Sequence, residues 1–234
     1  IGASFAGNLA ATSTSGPGLA LKGEALGLAV MTELPLVVVN VQRGGPSTGM
    51  PTKSEQSDLN QALYGRNGES PLVVMAAATP TDCFDSAYWA SKIAVEHMTP
   101  VILLTDGYIA NGASAWKIQN LDEYPSIKPH TIQESYAGNA EDWKPDVRDS
   151  ETLARYWAAP GVPDYMHRIG GLEKDYNTGV ISSNPENHQL MVDTRQAKID
   201  RIADFIPEQT IVGYAESDTL IVGWGGTYGH LLEA

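Results

Sequence analysis

Four short runs of β-branched and apolar residues constrain this chain most: Asn8 to Ser13, Pro35 to Gln42, Leu72 to Ala77 and Val101 to Thr105. Enough chain separates each pair of runs to hold a helix. Runs of this kind with little polar alternation need cover on both faces, and long crossovers join parallel neighbours, so the first half is predicted to be α/β, a parallel sheet wound with helices.

The helices between the runs have legible starts. Ser15-Gly16-Pro17-Gly18 offers a capping residue and an early proline ahead of Leu19 to Met31, a stretch so apolar all round that burial of the whole helix is expected. Thr79-Pro80-Thr81-Asp82 repeats the construction before a helix reaching His97, and Asp106-Gly107 turns the chain into a short helix near Ile109 to Ala113. Residues 1–116 are read as one α/β unit. From Lys117 the pattern dissolves among Pro125, Pro129, Pro145, Pro160 and Pro163, so 117–208 is read as an irregular arm and linker. Within it a small hairpin is expected between Gly170-Gly171-Leu172 and Gly179-Val180-Ile181. A helix is expected from Asn187 to Phe205, with Leu190, Met191, Ala197, Ile202 and Phe205 inward. Leu220-Ile221-Val222 reads as a strand ending at the glycine turn Gly223 to Gly226, so 209–234 is expected to begin a second α/β domain.

Charge and cysteine content exclude several function classes. A net charge of −13 with no local basic patch disfavours nucleic acid and anionic membrane surfaces as partners. Cys83 is the only cysteine, so the chain has neither a disulfide framework nor ligands for an iron–sulfur cluster, and a reducing, cytoplasmic location is expected. No run approaches the roughly 20 apolar residues of a membrane span. The sequence opens at Ile1 without an initiator Met and stops just after a predicted strand, so both ends read as cut.

Chemistry concentrates in the stretch Gln42-Arg43-Gly44-Gly45-Pro46-Ser47-Thr48-Gly49-Met50-Pro51-Thr52-Lys53-Ser54-Glu55-Gln56-Ser57-Asp58-Leu59. It follows an apolar strand and should lie at the carboxyl edge of the sheet, where ligands bind in open α/β folds. Glycines allow close backbone approach, Arg43 offers a planar fork for a carboxylate or phosphate, and Ser47, Thr48 and Thr52 add hydroxyls. By spacing alone, a glycine-rich turn whose Arg pairs with a neighbouring acid is equally compatible. Neither G-x-x-x-x-G-K-[ST] nor G-x-G-x-x-G follows these strands.

This stretch resembles the R-G-G-P-S-T-G-x-P-T-K-x-E-Q-S-D-L signature of 2-oxoacid:ferredoxin oxidoreductase alpha subunits, particularly those acting on 2-oxoglutarate. Thr14-Ser15-Gly16-Pro17-Gly18 is similar to the strand-to-helix turn of pyrimidine-binding domains in thiamine-diphosphate enzymes, and Asp106-Gly107-Tyr108 to the turn closing that domain. Pro185-Glu186-Asn187-His188 and Gly223-Trp224-Gly225-Gly226-Thr227 resemble the approach to the family's transketolase-C-terminal-like domain. The resemblance implies oxidative decarboxylation of a 2-oxo acid on thiamine diphosphate, acyl transfer to coenzyme A, and reduction of ferredoxin. It implies a partner beta subunit that holds or shares the cofactor and its Mg²⁺, and iron–sulfur clusters on a partner rather than on this chain. It places Arg43 and Thr52 at the substrate carboxylate, and Ser15 and Gly16 beside the cofactor. The glutamate that activates the cofactor is expected upstream of Ile1, so no catalytic residue is assigned here, and neither Glu24 nor Glu33 suits the role. The same scaffold is compatible with a noncatalytic assembly subunit or with a nonoxidative thiamine-dependent decarboxylase.

Other candidates have simpler readings. Cys83, in a first helical turn, reads as a packed thiol rather than a nucleophile. His97, His130, His167, His188 and His230 lack metal-ligand spacing. Ser47 fits G-x-S-x-G by letters, but Met50-Pro51 follows where a nucleophile elbow needs a helix. Trp143, Tyr156, Trp157 and Tyr165 suit a subunit interface, or an arm folded on its own core.

Overall fold

β-branched and apolar sequence produces the expected sheet. The computed structural model describes residues 1–214 and 216–233. In chain order it runs α1 (Gly2–Phe5), β1 (Ala10–Thr14), α2 (Gly16–Leu21), α3 (Gly23–Thr32), β2 (Leu36–Gln42), α4 (Leu59–Tyr64), β3 (Val73–Ala76), α5 (Asp82–His97), β4 (Pro100–Asp106), α6 (Gly107–Asn111), α7 (Ile132–Ser135), α8 (Pro185–Arg201) and α9 (Tyr228–Leu232). The four strands pair in the order β1-β2-β4-β3, all parallel. Every residue of β4 is buried, as a central strand covered on both faces requires. One face packs on Leu19, Leu26, Ala29 and Val30, the other on Ala90, Ile93 and Ala94 of α5.

The single helix expected over Leu19 to Met31 is two. At Lys22 the backbone N–H bonds back to Gly18 and Leu19, tightening the turn to 3₁₀ character before α3 begins. The Lys22 ammonium then reaches Thr14 Oγ1 at 3.3 Å. Nor is the segment buried all round: Leu26, Ala29 and Val30 face the sheet, while Leu21 is 89% exposed. Apolar composition overstated the burial because only one face meets the sheet.

α5 starts as its sequence dictates. Thr79 Oγ1 accepts from Asp82 N–H at 3.1 Å, and Asp82 Oδ2 accepts from Ala78 N–H at 2.7 Å, a reciprocal cap. α3 and α5 both end on non-glycine residues in the left-handed region, Glu33 (φ 49°) and Met98 (φ 48°), with Leu34 N–H returning to Ala29 O and Thr99 N–H to Ala94 O.

The arm does not stand away from the domain. Trp157 and Ala154 pack with Leu34 and Met98 at the amino edge of the sheet, and Trp143 and Ala158 form a further cluster with Ile132, Tyr156 and Tyr165. Trp143, Tyr156 and Tyr165 therefore make the arm's own core, while Trp157 packs the arm onto the domain. The expected hairpin is reduced to one bridge, Lys174 to Ile181, closed by a turn at Asp175.

α8 is capped by Asn184, whose Oδ1 accepts from Asn187 N–H at 2.7 Å, and runs to Arg201 before a 3₁₀ turn, Ile202–Phe205. Met191 and Ile202 are inward as expected; Leu190 and Phe205 are not. Thr194 and Lys198 take the buried face instead. Lys198 Nζ donates to Glu33 Oε2 at 2.6 Å and to Met98 O at 2.7 Å, so one cation meets the carboxyl ends of α3 and α5 together. Arg148 grips the same carboxylate at 2.6 Å, and Arg155 hydrogen-bonds the Thr32 carbonyl. Burial alone would raise the Glu33 pKa. Arg148, then Lys198 and Arg155, instead hold it well below the usual carboxylate range.

Leu220-Ile221-Val222 is not a strand. It is exposed, and among the described residues no strand pairs with it, so it has no ladder to hold it. Among the described residues no helix is long and apolar enough to cross a membrane.

Candidate functional site

The carboxyl ends of the strands create the site. Register pairs Thr14 with Asn40 and Gln42 with Asp106, so β1, β2 and β4 end side by side and their following turns share one edge. Between them lies a cleft of about 420 Å³, lined by Ser13, Thr14 and Ser15 at the end of β1, Val41, Gln42 and Arg43 at the end of β2, Pro51 and Thr52 of the loop, and Gly107, Ala110 and Asn111 of α6. Arg43, Thr52 and Ser15, chosen from sequence, thus line one cavity.

The loop between Arg43 and Asp58 is folded tightly on itself. Met50 N–H donates to Gly44 O at 2.8 Å and Gly44 N–H to Lys53 O at 3.0 Å, while Glu55 accepts from Gly45 N–H at 2.9 Å. Gly49 has φ 56°, and a Cβ there would lie 1.9 Å from Gly44 O, so this turn requires glycine. Thr52 sits at φ 71°, a left-handed conformation that is strained for a β-branched residue and is retained only where the surroundings enforce it. Ser47 lies on the exposed tip, and the chain after it turns back to Gly44 instead of entering a helix, so the nucleophile-elbow context is missing.

Arg43 is half-buried. Among the described residues no carboxylate forms an ion pair with it, and its Nε is buried without a hydrogen-bond partner. A guanidinium N–H left unsatisfied away from water costs about 1–3 kcal/mol, and Arg148, Arg155 and Arg195 carry an unpartnered Nε as well, so what sets Arg43 apart is the absence of an ion pair at the cleft. A turn in which Arg43 pairs with a neighbouring acid is therefore not what forms.

Gly16 has a different place from Ser15. It is buried against Asp58, whose Oδ2 and Oδ1 would lie 2.6 and 2.8 Å from any Cβ, so glycine lets the loop dock on the start of α2. Asp58 also accepts from Asn40 Nδ2 at 3.0 Å. Gln42, 1% exposed, joins the loop to β4: its Oε1 accepts from Asp58 N–H at 3.1 Å and its Nε2 donates to Thr105 O at 3.1 Å. On the far side Asp106 caps α6 through Tyr108 and Ile109 N–H and receives Gln56 Nε2 at 3.1 Å. Gln56 Nε2 also lies 3.3 Å from Trp224 O, which brings the Gly223–Thr227 turn against the same edge.

Ser13 and Asn111 belong to the lining and were not singled out from sequence. Asn111 lies four residues after Gly107, one helical turn along the same face, which was the available signal. Cys83 is half-buried, and burial, then Asp82 and Asp106, raise its thiol pKa, so a thiolate is disfavoured. Among the described residues no three His, Cys, Asp or Glu side chains gather where they could hold a metal.

Comparison with known proteins gives concordant results. The family described as pyruvate flavodoxin/ferredoxin oxidoreductase, thiamine diphosphate-binding, matches residues 1–186. The chain is 55% identical over 235 residues to the 2-oxoglutarate oxidoreductase subunit KorA of Mycobacterium tuberculosis, covering 100% of this chain and 35% of the relative. It is 36% identical over 245 residues to the alpha subunit of 2-oxoacid:ferredoxin oxidoreductase 2 of Aeropyrum pernix, covering 100% and 36%. The structure of the 2-oxoglutarate:ferredoxin oxidoreductase from Magnetococcus marinus, with 2-oxoglutarate, coenzyme A and succinyl-CoA bound, superposes with a TM-score of 0.89 at 38% identity over 100% of this chain and 40% of that one. The chain thus spans about a third of the length of these two curated relatives.

Proposed function

The chain belongs to the thiamine-diphosphate-binding family of pyruvate flavodoxin/ferredoxin oxidoreductases, and on that premise we propose that its cleft receives the carboxylate end of a 2-oxo acid, 2-oxoglutarate, for oxidative decarboxylation. The products are CO₂ and the acyl-coenzyme A, with two electrons passed to ferredoxin. The observation that carries this reading is Arg43: a half-buried guanidinium without an acidic partner among the described residues, in a cleft whose other lining groups include hydroxyls. The relatives named above act on 2-oxo acids, and the solved neighbour holds 2-oxoglutarate.

Arg43 supplies a planar pair of donors and Thr52 a hydroxyl, which together fix the direction of the carboxylate that leaves as CO₂. Their task is positioning, since a tighter grip on the ionised ground state would slow its departure. Ser13 and Ser15 add hydroxyls on the β1 side, and Asn111 an amide on the α6 side. These groups fit the neutral, polar face of an aminopyrimidine; no lining residue is an acid that could activate one. Thiamine diphosphate, when bound, supplies the electron sink for decarboxylation. The activating glutamate is assigned outside this stretch, Mg²⁺ is shared with or held by the beta subunit, and the iron–sulfur cluster is assigned to a partner, consistent with a chain having Cys83 alone. Residues 209–234 are read as the start of a second α/β domain.

The test is reduction of a ferredoxin analogue by the full-length chain with its beta subunit, under anaerobic conditions, with thiamine diphosphate, Mg²⁺, coenzyme A and a panel of 2-oxo acids. Reduction that needs every component and is fastest with 2-oxoglutarate is expected. A folded, cofactor-replete complex silent across the panel contradicts the reading.

A further inference from the structure

We propose that Gln42 is a positioning residue that acts through Arg43, holding the cleft end of β2 between the loop and β4. This rests on the reading of Arg43 given above. Gln42 and Arg43 both border the cleft, but Gln42 is 1% exposed and its amide is spent on neighbours within the protein. Both ends of the Gln42 amide are used: the oxygen accepts from Asp58 N–H at the loop's close, and the nitrogen donates to Thr105 O on β4, each at 3.1 Å. Arg43 is the next residue, and among the described residues its buried Nε has no hydrogen-bond partner and no carboxylate pairs with it to set its direction from the side-chain end. Its aim therefore depends on the backbone from which it leaves, and that backbone is fixed on one side by the β2–β4 ladder and on the other by the Gln42 amide.

Meeting both neighbours takes an uncharged group with one donor and one acceptor, as the Gln42 amide has. A leucine fills the space and strands Asp58 N–H and Thr105 O. A glutamate keeps the acceptor for Asp58 N–H but, ionised, places a carboxylate against the Thr105 carbonyl; protonated, it can donate as the amide does. The groups that face this position are Asp58, Asp106 (its register partner on β4) and the adjacent Arg43.

The experiment uses the full-length chain in complex with its beta subunit, and reads KM for 2-oxoglutarate and for coenzyme A separately. Turnover by the wild-type complex tests the functional reading; the ratios between variants test the positioning role. Gln42→Leu is expected to raise KM for 2-oxoglutarate by about tenfold, leaving KM for coenzyme A within about twofold. In an Arg43→Ala background the same change is expected to alter the 2-oxoglutarate KM by less than about twofold, because the residue it works through is gone. Gln42→Glu separates positioning from simple loss of folding: its KM defect at pH 8.5 is expected to shrink toward wild type at pH 6, where the buried carboxyl regains its proton. Unchanged KM in Gln42→Leu, effects that multiply independently with Arg43→Ala, a coenzyme A KM that rises in step, or a Gln42→Glu defect that ignores pH would each overturn the proposal.

Discussion

Lys198 and Glu33, 165 residues apart in the chain, meet at 2.6 Å beneath the carboxyl ends of α3 and α5, and the contact is buried on both sides. It ties the linker helix α8 to the domain, with Arg148 joining the arm through the same carboxylate. Breaking a buried pair leaves an uncompensated charge, at a cost of about 3–5 kcal/mol. Glu33→Gln and Lys198→Met are each expected to lower the stability by an amount in that range, seen as a fall in melting temperature, and the double variant to lose less than the sum. Additive losses in a thermal melt would contradict a coupled pair.

Acid should weaken the same region, and two groups set the window. Glu33 is held below its ordinary range, so its contribution is complete above the unfolded carboxylate pKa and is lost as pH falls through acid. His97 is pushed down to about 4, by burial first and then by Lys198, against an unfolded value of 6.5. Between those values the unfolded chain binds the extra proton, so stability is complete above pH 6.5 and declines toward pH 4, by up to about 3 kcal/mol. His97→Phe is expected to flatten that part of a stability–pH curve measured by urea melts; a curve of unchanged slope would contradict it.

Thr52 trades stability for placement. At φ 71° a β-branched side chain is strained by about 1–3 kcal/mol, and glycine relieves most of that at a smaller entropic cost. Thr52→Gly is expected to raise the melting temperature slightly while raising KM for the 2-oxo acid. A variant that is less stable with an unaltered KM would show the threonine to be structural only.

Arg43→Ala should reduce kcat/KM for the 2-oxo acid by about tenfold to a hundredfold, the loss of a charge-assisted bond, with the coenzyme A KM little changed. Arg43→Lys should also be impaired, because a point charge does not reproduce a planar fork. Steady-state kinetics on the complex decide it: wild-type behaviour of the lysine variant, or a selective coenzyme A defect, counts against the role.

The sheet and its edge were legible because the information is local. Val37 to Val41, Val101 to Leu104, the Thr79–Asp82 cap and the Asp106-Gly107 turn each declare themselves within a few residues, and the Arg43–Asp58 stretch is long enough to identify on its own. Contacts between distant segments were not. Lys198 and Thr194 lie on a helix that could present polar residues to water, and only the arrival of Glu33 and Met98 makes that face the buried one. The break at Lys22 comes with a contact between distant residues as well, since the Lys22 ammonium meets Thr14 Oγ1 of β1. Leu220 to Val222 has strand composition without a strand's partner, and propensity alone forms no ladder.

The most direct measurement is a cryo-electron microscopy structure of the full-length chain with its beta subunit, trapped with 2-oxoglutarate. The account predicts the substrate's 1-carboxylate in the cleft, within roughly 3 Å of the Arg43 guanidinium and the Thr52 hydroxyl. A carboxylate bound elsewhere, with Arg43 paired to an acid of the partner, would contradict it.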